Sequence, residues 1–161
     1  MFVNSMRIVS ASARETIKIG EKIARRLKPS DVICLYGRFG AGKTVLVKGI
    51  ARGLHIKEGT VNSPSFVLIR THAQGLIPLH HLDLYRIKSP QDILNLGYEE
   101  YLFGRAVTVI EWAERLGKLM PEEFLKIEFK IMPGTKRRLA FRAYGSRCRE
   151  LLRQLDEDIS H

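Results

Sequence analysis

Lys43 and Thr44 stand directly after a glycine-rich turn made of Gly37, Arg38, Phe39, Gly40, Ala41 and Gly42, and the eight residues fit Gly-x-x-x-x-Gly-Lys-Ser/Thr. The residue types in this order suit phosphate binding. Glycines let the backbone come close, successive amides point inward, and a helix beginning at the lysine adds partial positive charge. Lys43 is expected to reach the β- and γ-phosphates and Thr44 to ligate Mg²⁺ through its hydroxyl, with Val45 the last of the nucleotide-binding residues. Two acids complete the set. Glu111 ends the apolar run 106–110 in the manner of a Walker B strand, and is expected to approach Mg²⁺ directly or through water. Asp83 ends a second apolar strand, where it is placed to polarise an attacking water. The roles of the two acids are interchangeable at this level.

Three further groups have more than one reading. Ser63 and Ser65, flanking Pro64 in a polar stretch after the phosphate-loop helix, are placed to fold over the γ-phosphate as a switch; a proline-pinned turn into a strand fits equally. Trp112, directly after Glu111, suits a core position, a cover over the site or a partner contact. His80 and His81 are neighbours on a strand and point to opposite faces, which favours separate hydrogen bonds over joint metal chelation.

These residues need a scaffold, and the hydrophobic pattern describes one. Residues 7–11 read as a short first strand. The capping box Ser12-x-x-Glu15 opens a helix to about residue 27, with Ile17, Gly20, Ala24 and Leu27 on one face. The apolar run 32–36 is a buried strand leading into the loop, and the helix after Thr44 runs to about residue 54. Residues 66–71 and 76–84, joined at Gln74 and Gly75, form a hairpin. Ser89-Pro90 starts a helical segment that Gly97 divides in two. Residues 125–131 alternate apolar and charged, as in a strand with one wet face, and pair with 139–144 in a second hairpin expected at the sheet edge. Ser146 caps a last helix with Leu151, Leu152 and Leu155 inward and an acidic, fraying end. The fold class is α/β: one phosphate-loop NTPase domain over residues 1–161, with a mixed central sheet flanked by helices.

Composition narrows the setting. The chain of 161 residues is long enough for a core without staples, and its two cysteines, Cys34 and Cys148, suggest neither a disulfide framework nor a zinc site. No apolar stretch has the length of a signal peptide core or a membrane span, so a soluble cytoplasmic protein is expected. The formal net charge is +10, and residues 136–153 hold seven basic residues against one acid. That segment suits RNA phosphates or an acidic partner surface, or is a solvated face.

Taken together, the phosphate loop, Ser63-Pro64-Ser65-Phe66, the His81-Leu82-Asp83-Leu84-Tyr85-Arg86 run, the 97–101 segment and Ile110-Glu111-Trp112 resemble the bacterial TsaE (YjeE) family in order and spacing. Ser65 stands where that family usually has threonine, which keeps the hydroxyl. The resemblance implies a small Mg²⁺-dependent ATPase, with ADP as product, required for N6-threonylcarbamoyladenosine (t6A) synthesis in tRNA. In that pathway TsaC makes threonylcarbamoyl-adenylate, and TsaD, paired with TsaB, transfers the group. The resemblance further implies binding to the TsaD–TsaB complex and ATP hydrolysis in support of its turnover. It gives Lys43 and Thr44 to phosphates and metal, Glu111 to the metal site, Asp83 to the water, and Trp112 to function.

The principal rival is a phosphate-loop small-molecule kinase, which needs a closing lid; Arg86, Arg137 and Arg138 are its candidate phosphate contacts. No Asn-Lys-x-Asp guanine-reading motif is present, and no Leu-Ser-Gly-Gly-Gln-like signature of a transporter ATPase. Contact with tRNA is either indirect or made through the basic C-terminal segment.

Overall fold

The computed structural model describes residues 4–57 and 69–160. They form a seven-stranded mixed sheet in the order β1-β7-β6-β2-β5-β4-β3. Its parallel centre is β6 (Phe124–Ile131), β2 (Val32–Tyr36), β5 (Val107–Glu111) and β4 (Leu79–Asp83). Antiparallel strands flank it: β7 (Arg137–Tyr144) and then β1 (Ser5–Ser10) on one side, and β3 (Ile69–His72) on the other.

Helices α1 (Ala13–Ala24), α2 (Lys43–Gly53) and α5 (Ser146–Ser160) cover one face, where Ile33, Leu35, Val109, Leu125 and Ile127 meet Ile23, Leu46, Ile50 and Leu151. On the other face α3 (Pro90–Asn95), α4 (Glu99–Leu102) and a 3-10 segment (Ala113–Leu119) pack Ile93, Leu102 and Leu116 against Cys34, Leu82 and Ile110. Both faces of β2 and β5 are buried, which explains their near-continuous apolar runs.

Local signals act as their chemistry requires. The Ser12 hydroxyl accepts from the Glu15 amide and the Glu15 carboxylate accepts from the Ala11 amide, a reciprocal cap on α1. Ser89 caps α3 by accepting from the Asp92 amide, with Pro90 in the first turn. Where α1 crosses α2, a β-carbon on Gly20 would sit 2.6 Å from the Leu46 carbonyl oxygen, so the small residue sets how closely the phosphate-loop helix approaches.

Two expectations change. The β6–β7 hairpin lies inside the sheet, because β6 pairs with β2 and β7 with β1. Alternation along β6 reports a strand wet on one face, and a strand can have that property without standing at an edge. The C-terminal end is helical through Ser160, and Asp158 accepts two hydrogen bonds from the Arg26 guanidinium, at 2.7 and 2.6 Å. The basic C-terminal segment is likewise divided. Arg147 donates to Asp31 at 3.0 and 2.8 Å, and Arg153 donates to Glu150 and Glu157. Both cysteines are buried, in different clusters; burial first, then nearby Asp31 and Glu123, push the Cys148 thiol up to about 12.

Candidate functional site

The carboxyl ends of the parallel strands meet at the phosphate loop. The chain leaves β2 toward the α2 face and leaves β5 toward the other, and such a divergence opens a crevice at the strand ends. Gly42 is the N-cap of α2 and holds φ of 102°, a left-handed conformation that glycine adopts without steric cost. A pocket of about 330 Å³ opens there, lined by residues 39–45, Asp83, Tyr85, Glu111 and Trp112. Among the described lining residues Lys43 is the only cation.

Lys43 is buried. Its ammonium donates to the carbonyls of Gly37 at 2.5 Å and Arg38 at 3.1 Å, and sits 4.4 Å from the centre of the Trp112 ring. Burial pushes its pKa below the ordinary lysine value, and the negative charges of Glu111, Glu114 and Asp83 oppose that shift. The Thr44 hydroxyl donates to Glu111, 3.1 Å from Oε1 and 3.3 Å from Oε2. Parallel register sets Asp83 opposite Glu111, and the Leu84 amide donates to the Glu111 carbonyl, which ties the two strand ends together. Asp83 is buried, and its Oδ1 accepts from the Tyr85 amide at 3.0 Å.

Period-two alternation explains the grouping. Leu79, His81 and Asp83 share the α2 face of β4, and Val107, Val109 and Glu111 share the same face of β5. His81 is therefore a diagonal neighbour of Glu111, with Nε2 2.5 Å from Oε2. With the carboxylate accepting, Nε2 is the protonated nitrogen; Nδ1, also buried, has no hydrogen-bond partner among the described residues. His80 points the other way and pairs its Nδ1 with the Thr71 hydroxyl at 2.9 Å. Separate local bonds, as alternation requires, account for both rings.

Comparison with known proteins fits this geometry. The family model "Threonylcarbamoyl adenosine biosynthesis protein TsaE" matches residues 10–139. The chain belongs to the TsaE family. That membership places it among the proteins of tRNA threonylcarbamoyladenosine biosynthesis. It is 38% identical to the TsaE protein of Bacillus subtilis over 148 residues, covering 89% of this chain and 92% of that one. It is also 38% identical to TsaE of Treponema pallidum over 134 residues, covering 83% and 98%. The crystal structure of YdiB from Bacillus subtilis superposes with a TM-score of 0.85 at 32% identity, covering 99% of each chain.

Within this TsaE-family chain, Phe39 to Val45, Asp83, Glu111 and Trp112 come together at one pocket, with Gly37 and Arg38 supplying carbonyls to Lys43. Ser63 and Ser65 lie outside the described residues. Arg137 and Arg138 are on β7, paired in register with Ser10 and Val9 of the edge strand, and neither they nor Arg86 lines the pocket. Trp112 covers the site: its backbone takes φ of 57°, an uncommon left-handed conformation for a bulky residue, and its ring lies 5.0 Å from that of Tyr85. Tyr85 in turn lies 6.1 Å from Phe39, giving an aromatic row along the mouth. Sequence reasoning missed Tyr85 and His81 as members of the site, although both fall in the run beginning at His81; their two-residue offsets from Asp83 were the available signal.

The His81 hydrogen bond has a measurable consequence. His81→Ala removes one of the charge-assisted bonds of the buried Glu111 carboxylate, leaving that of Thr44, and is expected to lower stability by about 1.5–3 kcal/mol, with a cavity contribution besides. Thermal unfolding of His81→Ala and His81→Gln checks this: the glutamine, which keeps a donor, should recover part of the stability. Unchanged unfolding of the alanine variant would remove the assigned bond.

Proposed function

We propose that this chain binds ATP with Mg²⁺ in the loop pocket and hydrolyses it to ADP, acting with the TsaD–TsaB complex to support repeated turnover in t6A synthesis, in the cytoplasm. The observation that carries the reading is the Thr44 hydroxyl on the Glu111 carboxylate, beside Lys43 and with Asp83 across the strand pair. Two hard oxygen donors side by side suit Mg²⁺, which takes one or two carboxylates together with phosphate oxygens and waters. The ion, when bound, supplies charge neutralisation to the phosphates.

The chain's own groups do the rest in this reading. Loop amides and the start of α2 hold the phosphates, while Lys43 neutralises charge that develops on the transferred group. Glu111, fixed by His81, and Thr44 hold the metal side. Asp83, whose Oδ1 is pinned by the Tyr85 amide, orients the attacking water. Phe39, Tyr85 and Trp112 offer flat apolar surfaces at the mouth for a nucleotide's ring system. Among the described residues no helix is long and apolar enough to cross a membrane.

Trp112 is the sole tryptophan of the chain and touches the loop lysine, so it reports on the pocket. Titration with ATP and Mg²⁺ is expected to change its emission in a saturable manner, more strongly than GTP. An invariant spectrum, with no nucleotide binding by calorimetry, would contradict the reading. Coupling to the partner complex predicts different affinities for TsaD–TsaB with a non-hydrolysable ATP analogue and with ADP.

A further inference from the structure

Strands β1, β7 and β6 have helices on one face only. Their inward residues, among them Met6, Ile8, Leu139, Phe141 and Ile127, join the core beneath α1, α2 and α5. The helices of the opposite face gather over β2, β5 and β4 and reach β6 and β7 only at Phe124 and Tyr144. Among the described residues, the outward side chains of these three strands therefore form an open sheet surface.

That surface is basic by register. Arg142 stands between Ser5 and Lys126, and Arg138 stands between Val9 and Lys130; Arg7 lies one step along, beside Ala140. Five cations share these outward positions with one acid, Glu128, whose carboxylate is 3.8 Å from the Lys126 ammonium. Arg7, Lys130 and Arg142 are exposed. Aromatic rings border the cations: Lys126 lies 4.5 Å from the Tyr36 ring centre and Arg142 5.9 Å from that of Tyr144, which stacks on Phe124 at 4.5 Å. A groove of about 650 Å³ runs over Arg7, Lys126 and Arg142.

We propose that the β1–β7–β6 surface binds RNA through its phosphate backbone. Strands about 4.8 Å apart set Arg142 and Lys126 side by side, close enough to serve one phosphate or two successive ones. Rings beneath the cations limit their motion and lower the cost of ordering them. The groove is polar and charged where the centre of a protein–protein interface is depleted of charge, which favours a polyanion over a protein. Membership in a tRNA-modification family makes tRNA the natural source of that backbone. The inference deepens the proposed partner set and is independent of whether ATP is hydrolysed.

The test is fluorescence anisotropy of a labelled, unmodified tRNA transcript titrated with the full chain across a KCl series. The unaltered chain is expected to bind with affinity that falls steeply with salt. Arg142→Glu with Lys126→Glu should weaken binding by roughly tenfold or more and flatten the log–log salt slope by about 1.4 to 1.8. Arg14→Glu with Lys18→Glu, an equal charge change on α1 of the opposite face, should bind as the unaltered chain does. The milder Arg142→Gln with Lys126→Gln should weaken binding in the same direction, and guards against a folding defect in the charge reversal. No binding at low salt, or equal weakening by the two reversed pairs, would overturn the proposal. So would a face variant that keeps tRNA but fails to bind the TsaD–TsaB complex, which would assign the surface to a protein. ATP turnover measured without RNA should be unchanged in the face variants, so this test and that of the nucleotide site fail separately.

Discussion

A Lys43→Ala protein is expected to fold as the parent does and to bind ATP at least about tenfold more weakly. A charge-assisted hydrogen bond from this ammonium to phosphate is worth about 1.5–3 kcal/mol, and 1.4 kcal/mol is a factor of about ten in affinity. The structure gives the reason that this side chain has so large an effect. Its ammonium is buried, burial holds its pKa below the ordinary value, and its two hydrogen bonds go to neutral carbonyls of Gly37 and Arg38. A phosphate anion in the loop gives that cation a stronger counter-charge than the carbonyls do, and the start of a helix adds partial positive charge beside it. Calorimetric titration checks the expectation. A folded Lys43→Ala protein with unaltered ATP affinity would remove Lys43 from the phosphate site.

The second large effect separates the two acids. Asp83→Asn is expected to keep nucleotide and Mg²⁺ binding and to lower turnover by about 10²–10⁴-fold, the range spanned by a positioned proton acceptor. Glu111→Gln is expected to weaken the Mg²⁺ dependence of binding as well as turnover, because the Thr44 hydroxyl meets this carboxylate and not Asp83. Binding titrated against Mg²⁺, alongside single-turnover hydrolysis, distinguishes them. The opposite pattern, with Asp83 controlling metal binding and Glu111 only the rate, would exchange the two assignments.

Much of this site is legible along the chain because its parts are local. An apolar strand, a glycine turn and a lysine opening a helix are contiguous, and each acid closes its own apolar run, so Lys43, Thr44, Asp83 and Glu111 can be named before any fold is seen. Pairing is different. The His81–Glu111 bond joins residues 30 apart in sequence, and it exists because β4 and β5 lie in parallel register with both side chains on the α2 face. Nothing in the spacing of either strand states that register. Sequence alone misplaces the β6–β7 hairpin for a related reason: alternation tells which faces of a strand are wet, whereas its neighbours depend on strands far away in sequence. Trp112 suits core, cover or partner surface until its left-handed backbone turns the ring over Lys43. The basic C-terminal segment, compact in sequence, is divided by the fold into helix ion pairs at Arg147 and Arg153 and sheet-surface cations at Arg138 and Arg142.

Steady-state ATP hydrolysis by the purified chain, alone and with the TsaD–TsaB complex, with GTP as control, decides whether the loop pocket is an ATPase site coupled to that complex. A site built in this way predicts slow, Mg²⁺-dependent, ATP-preferring turnover that rises in the complex and falls by about 10²–10⁴-fold in Asp83→Asn. Absence of turnover under both conditions by a folded protein that binds ATP, or turnover indifferent to Asp83, would contradict it.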